Sequence, residues 1–123
     1  MNTAIYRKIL LKEKIEIPSE VLDELSKDET SAVRWWVAEN PNTKPETLEY
    51  LSRDEDSDVR RYVAYNPNTT SETLDYLSKD EHISVRCCVA ENHNCSMKTY
   101  KYIKGLELLS SLQKPLEGPS NSL

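Results

Sequence analysis

Cys87, Cys88, His93 and Cys95 lie within nine positions of one another near the end of the chain, and their side chains are the ones whose types and spacing invite chemistry. Thiolate and imidazole are soft metal ligands, but Cys88, His93 and Cys95 match no common zinc spacing and no fourth ligand accompanies them. Neither a metal nor a cofactor is expected. His93 replaces a proline of two matching phrases, and His82 falls in a connection. Neither stands at motif distance from a nucleophile or a paired carboxylate, so no catalytic residue is expected and the chain does not read as an enzyme. An odd, closely spaced set of thiols suits a reducing compartment better than a disulfide framework. No apolar run approaches the roughly 20 residues of a membrane span, and "MNTAIYRKILLKEK" is too polar for a signal peptide. The expected location is cytoplasmic, away from any membrane.

The elements that carry these residues are written in the composition and in a repeat. Only two glycines and no phenylalanine occur in 123 residues, with charged residues at 30% and hydrophobic ones at 37%. This describes a helix-rich chain. A formal charge of −5 makes a nucleic-acid partner unlikely, because phosphate binding draws on clustered Lys and Arg.

The phrase "VRWWVAENPNT" from Val33 returns as "VRRYVAYNPNT" from Val59 and as "VRCCVAENHNC" from Val85, a period of 26 residues. The same offset links Leu22 to Leu48 and Leu74, and Leu25 to Leu51, Leu77 and Ile103. A period of this size means units that cannot bury their faces alone and must stack. Residues 2–12, with Lys8 on the arginine column, read as a degenerate cap helix. Repeats follow at about 17–40, 41–66 and 67–92, with a partial one at 93–104. In a single domain over 1–114, Leu106, Leu109 and Leu112 continue an apolar stripe that would cover the last unit as a cap over 105–114. The tail 115–123 reads as disordered.

Each unit reads as two short helices. Val33, Trp36, Val37 and Asn40 follow helical spacing, which turns this stripe inward. Proline after Asn40 ends the helix. In "TKPE" Thr43 is placed to cap the second helix, with Pro45 in its first turn and Glu46 three residues on, and "TTSE" from Thr69 repeats the logic. Leu48 and Leu51 then face inward, and Arg53 suits the negative end of the helix dipole.

The pattern D-x-x-x-x-V-R-x-x-V-A-x-N-P, as in Asp54 to Pro67, resembles the variant leucine-rich repeat and more loosely the HEAT-type repeats, over roughly residues 17–104. The resemblance implies an all-α, right-handed superhelix without β-strands. The usual family unit is slightly shorter, a difference the "DEDSD" connection can absorb. Some relatives carry an N-terminal cysteine cluster for iron–sulfur; with no cysteine before Cys87, none carries over here.

Two columns read as structural ladders. Arg34, Arg60 and Arg86, each six residues after Asp28, Asp54 or Asp80, are expected to bond to carboxylates or carbonyls between units. Asn40, Asn66 and Asn92 are expected to satisfy backbone at helix ends. Glu20, Asp23, Glu46, Glu49, Glu72 and Asp75 line an acidic face, with Asp23–Lys27, Glu49–Arg53 and Asp75–Lys79 as neutralising pairs. Tyr50, Tyr76 and Tyr102 form an aromatic column that reads as stacking between units.

What varies points outward. Trp35, Arg61 and Cys87 occupy one exposed column, and Glu39, Tyr65 and Glu91 another. Tryptophan, arginine and tyrosine on such a strip are the mix enriched at binding hot spots. Trp35, Glu39, Arg61, Tyr65 and Glu91 are therefore the candidate contacts for a protein or peptide. For Trp35 the alternative is burial under the cap helix by Ile5 and Ile9. Nucleic-acid binding, or metal or redox sensing at Cys88 to Cys95, are the other functions left open.

Overall fold

The computed structural model describes residues 16–113, and seven helices occur there with no strand. We label them α1 (Ser19–Leu25), α2 (Ser31–Glu39), α3 (Pro45–Leu51), α4 (Ser57–Tyr65), α5 (Ser71–Leu77), α6 (Ile83–Glu91) and α7 (Met97–Gln113). The protein is all-α over these residues. The cap helix expected over 2–12 and the tail over 115–123 lie outside the described residues. From α2 to α4 to α6 the starts are 26 residues apart. α2 packs on α4 and α4 on α6, while each short helix packs against the longer one that follows.

The core is the set of columns that recur. Val33, Val59 and Val85, with Val37, Val63 and Val89, are buried in the long helices, and Leu22, Leu48 and Leu74 with Leu25, Leu51 and Leu77 in the short ones. Ala38 and Ala64 are also fully buried, and their small side chains let neighbouring long helices approach. The expected inward stripe is corrected here. Column 36, namely Trp36, Tyr62 and Cys88, is only half-buried, and the alanine column takes its place in the core.

Polar rungs tie each unit to the next. Arg34 Nε and Nη2 donate to the carboxylate of Asp54 at 2.8 and 3.2 Å, and its Nη1 donates to the carbonyl of Asp28 at 2.9 Å. Arg60 repeats this toward Asp80 and the carbonyl of Asp54. The carboxylate partner is thus the aspartate of the following unit, and the aspartate six residues earlier offers its backbone oxygen. Asn66 Nδ2 donates to the carbonyls of Ala38 and Asn40 at 2.8 and 2.9 Å, and Asn92 does the same to Ala64 and Asn66. Asn40, at the start of the series, accepts the backbone N–H of Asn42 through its Oδ1.

Helix ends depart from two expectations. Thr43 is not a cap: its hydroxyl is buried and donates to the carbonyl of Val37, as Thr69 does to Val63. The residues that follow them, Lys44 and Thr70, stand at the cap positions just before α3 and α5, and Thr70 accepts the N–H of Thr73. At the other end Ser26, Ser52 and Ser78 donate to the carbonyls three residues back, which closes each short helix. Lys104 occupies that column in the last unit, and Leu106 the aspartate column. Without either stop signal α7 runs on through Gly105. Leu106 is half-buried on it, but Leu109 and Leu112 are exposed, so beyond Leu106 the leucine stripe does not cover the last unit.

Two measurements test the rungs. Asp80 is held below the usual carboxylate range: burial alone would raise it, but bonding from Arg60 and the N–H of His82, with the Arg60 charge, outweighs that. A lowered folded value means stability present above the ordinary carboxylate range and lost as pH falls through the folded one. Asp80→Asn should cost about 2–3 kcal/mol at neutral pH and make the acid limb of urea denaturation shallower than in wild type. Asn66→Asp aims a carboxylate at two carbonyls, so it should be clearly destabilising at pH 7 and partly recover on acidification, when the protonated acid can donate; thermal melts across pH read this directly.

Candidate functional site

The face carried by α2, α4 and α6 holds all five candidate contacts, and the buried Val and Ala columns of the same helices fix its geometry. Trp35 is half-buried against the core rather than exposed. Its ring stacks on Tyr62 of the next unit, with centroids 5.2 Å apart and planes at 19°, and meets Trp36 edge-on at 6.1 Å. Among the described residues Tyr62 is the ring that covers it; Ile5 and Ile9 lie outside them.

Arg61 extends the cluster. Its guanidinium lies 4.9 Å from the centre of the Tyr62 ring, on which Trp35 also stacks, and Nη2 donates to Asp58 at 3.3 Å. Partial burial would lower its pKa, but the bond to Asp58 and nearby negative charge leave it raised, so the group stays cationic. Four side chains from two units, Trp36, Trp35, Tyr62 and Arg61, form one continuous aromatic and cationic surface. Contacts of this type contribute about 0.5–1.5 kcal/mol per aromatic pair beyond burial and about as much per exposed cation over a ring.

Tyr65, Glu39 and Glu91 are exposed. Tyr65 shows 65% of its surface and joins Glu91, Pro67, Cys88 and His93 around a pocket of about 280 Å³. The structure thus brings Trp35 together with Arg61 through Tyr62, and Tyr65 together with Glu91, while Glu39 joins neither group. Trp36 and Tyr62 belong to this face and were assigned to the core in sequence. Their column alternates Trp, Tyr and Cys, a variation that marks a surface position as clearly as the one beside it.

Elsewhere the residues with chemical potential are engaged or isolated. Burial pushes the Cys88 thiol up, with Arg61 opposing and Glu91 and Cys87 adding to the rise; burial and Asp75 raise Cys95. Less thiolate is then available at neutral pH for metal or disulfide exchange. Among the described residues no cluster of three His, Cys, Asp or Glu side chains is arranged to hold a metal ion. None of their helices is long and apolar enough to cross a membrane.

The acidic face is only partly self-neutralised. Lys79 lies 3.8 Å from Asp75, whereas Arg53 sits over the ring of Tyr76 at 4.3 Å. Asp23 and Asp75 accept hydroxyls of Thr47 and Thr99 in the following unit. The Tyr50, Tyr76 and Tyr102 rings remain largely exposed, and no ring stacks on another in this column among the described residues. A second amide ladder was missed in sequence: Asn68 donates to the carbonyls of Pro41 and Thr43, and Asn94 to those of Pro67 and Thr69. Its signal was visible as the second asparagine of "NPNT", retained in "NHNC".

No family model matches the chain, and no curated protein or solved structure matches it.

The stacked position of Trp35 is testable. Tyr62→Ala should red-shift and weaken the more shielded part of the tryptophan emission, and Trp35→Ala should cost about 1–3 kcal/mol in chemical denaturation, between a surface change and a fully buried Trp→Ala.

Proposed function

We propose that the chain is a non-catalytic repeat scaffold of the variant leucine-rich or HEAT-like type, its units winding into a right-handed superhelix, which binds a protein or peptide through the face of α2, α4 and α6. The observation that carries this reading is the continuous surface of Trp36, Trp35, Tyr62 and Arg61, with exposed Tyr65 on the same helices. Aromatic and arginine side chains held rigid before a partner arrives lose little entropy on binding and give hot-spot energies. The 26-residue spacing of the helices and the rungs between units support a superhelix.

Nucleic acid is the weaker reading. Arg34 and Arg60 hold aspartates in bidentate pairs, so the arginine column is not a free basic stripe for phosphates. The raised thiols weigh against a metal or redox role.

A partner captured from the native host and confirmed by titration provides the test. Tyr65→Ala and Arg61→Ala should each weaken it by about 1–2 kcal/mol; Tyr65→Ala should change stability by less than roughly 0.5 kcal/mol, and Arg61→Ala by about 0.5–1 kcal/mol, the contact over Tyr62 being lost with it. Affinity unchanged by both substitutions would sink the assignment of this face.

A further inference from the structure

The rungs between units have a direction, and at α6 they stop. Every long helix before it receives the same contacts from the unit that follows. Arg34 and Arg60 each take an aspartate in the fork of Nε and Nη2. The carbonyls of Ala64, Asn66, Pro67 and Thr69 each take an asparagine amide. Ala38 and Ala64 are sealed to 0% exposure by the neighbouring helix.

One unit later each of these features is present and unanswered. Arg86 Nη1 donates to the carbonyl of Asp80 at 2.7 Å, as its counterparts do to theirs. Its fork meets no carboxylate among the described residues, because the position that should supply one is Leu106. The carbonyls of Ala90, Asn92, His93 and Cys95 take no side-chain donor among those residues. Ala90 is half-buried where Ala38 and Ala64 are sealed.

We infer that the open side of α6, with Arg86 as anchor, is a docking site for a helix of a partner protein that carries an aspartate three residues ahead of its first turn. The two filled forks in this chain specify that chemistry. Asp54 and Asp80 each stand three residues before their helix, each with a carboxylate oxygen accepting the N–H two residues on. That bond orients the carboxylate for the two parallel donors of an arginine, a pairing with directional specificity. A helix follows in register to cover the alanine. Charge complementarity thus selects an acidic helix start, and the bare alanine selects a close-packed helix rather than an extended strand.

A second copy of the chain offers such an aspartate in Asp28, which stands three residues before α2 and accepts the N–H of Thr30, but it is a poorer occupant overall. Its leading unit would have to offer Asn42 to these carbonyls, but Asn42 already donates to Glu16 and to the carbonyl of Ile17 in its own chain. This site is separate from the aromatic face and stands or falls without it.

The chain supplies its own probe: a labelled synthetic peptide of residues 53–69, which carries Asp54, Asn66 and Asn68. Added to the full chain in an anisotropy titration, it should bind saturably. Replacing Asp54 by alanine in the peptide, or Arg86→Lys in the protein, should weaken binding about tenfold, the loss expected for a charge-assisted bidentate bond. Arg86→Lys keeps the charge and removes the fork; circular dichroism melts establish that it is folded. Leu106→Asp provides a second route, since a carboxylate in the column position should fill the fork from within, raise the melting midpoint and compete with the peptide. Tyr65→Ala should leave peptide affinity unchanged. The inference is overturned if the peptide does not bind, or if it binds equally well without Asp54 and with Arg86→Lys. It is also overturned if sedimentation shows concentration-dependent self-association abolished by Arg86→Lys, which would make a second copy the occupant. Binding that emerges only on removal of residues 114–123 would overturn it too, by making the chain's own end the occupant.

Discussion

A pair of helices 26 residues long cannot satisfy its own polar ends, and the structure is organised around that deficit. A long helix here ends at an asparagine in extended conformation, leaving the last carbonyls of the helix without intrahelical donors. The asparagine of the next unit supplies them. Because one amide reaches two carbonyls while its oxygen accepts a backbone N–H, the position of one unit fixes that of its neighbour to within hydrogen-bond tolerance. The arginine–aspartate fork does the same at the opposite ends of the long helices. Among the described residues no fully buried side-chain nitrogen or oxygen lacks a partner, so the hydrophobic columns can pack without the penalty of unpaired polar groups.

This constraint explains why the surface that varies can vary. Valine, leucine and alanine columns bury the apolar area, and the Arg, Asn and Thr columns satisfy the backbone. The columns at 35 and 36 are only half-buried and the one at 39 is exposed, so they contribute less to either task. Substitution there is limited mainly by local contacts, such as the stack of Trp35 on Tyr62. A rigid frame with a tolerant face is the general property of repeat proteins that recognise partners.

Much of this was legible in the sequence. Helical periodicity, the 26-residue register and the Asn-Pro stops are local signals, and α2 and α4 end at the asparagine as they imply. What failed was whatever depended on a neighbour. A helical wheel turned Trp36 inward, but the adjacent long helices approach through alanine, which moves the inward direction toward position 38. Thr43 had the look of a cap, yet its hydroxyl reaches back to the carbonyl of Val37, a bond set by the turn between helices rather than by either helix. The sequence sets Arg34 on a ladder with an aspartate, but only the stacking distinguishes the aspartate six residues before from the one twenty residues after. In the last unit, loss of the serine and aspartate stops could have announced the extended α7; hydrophobic spacing alone suggested a cap instead.

The prolines that follow Asn40 and Asn66 end helices, and they also bear on how the protein ages. Asparagine loses its side-chain amide chiefly when the backbone nitrogen of the next residue attacks it, closing a five-membered imide. A proline nitrogen has no hydrogen to lose and its ring blocks that closure, so two of the three ladder asparagines sit in a chemically protected setting. Asn92 precedes His93 and has no such protection. Within this ladder slow hydrolysis therefore falls on Asn92, where the amide that becomes a carboxylate is the one holding α6 to the carbonyls of Ala64 and Asn66.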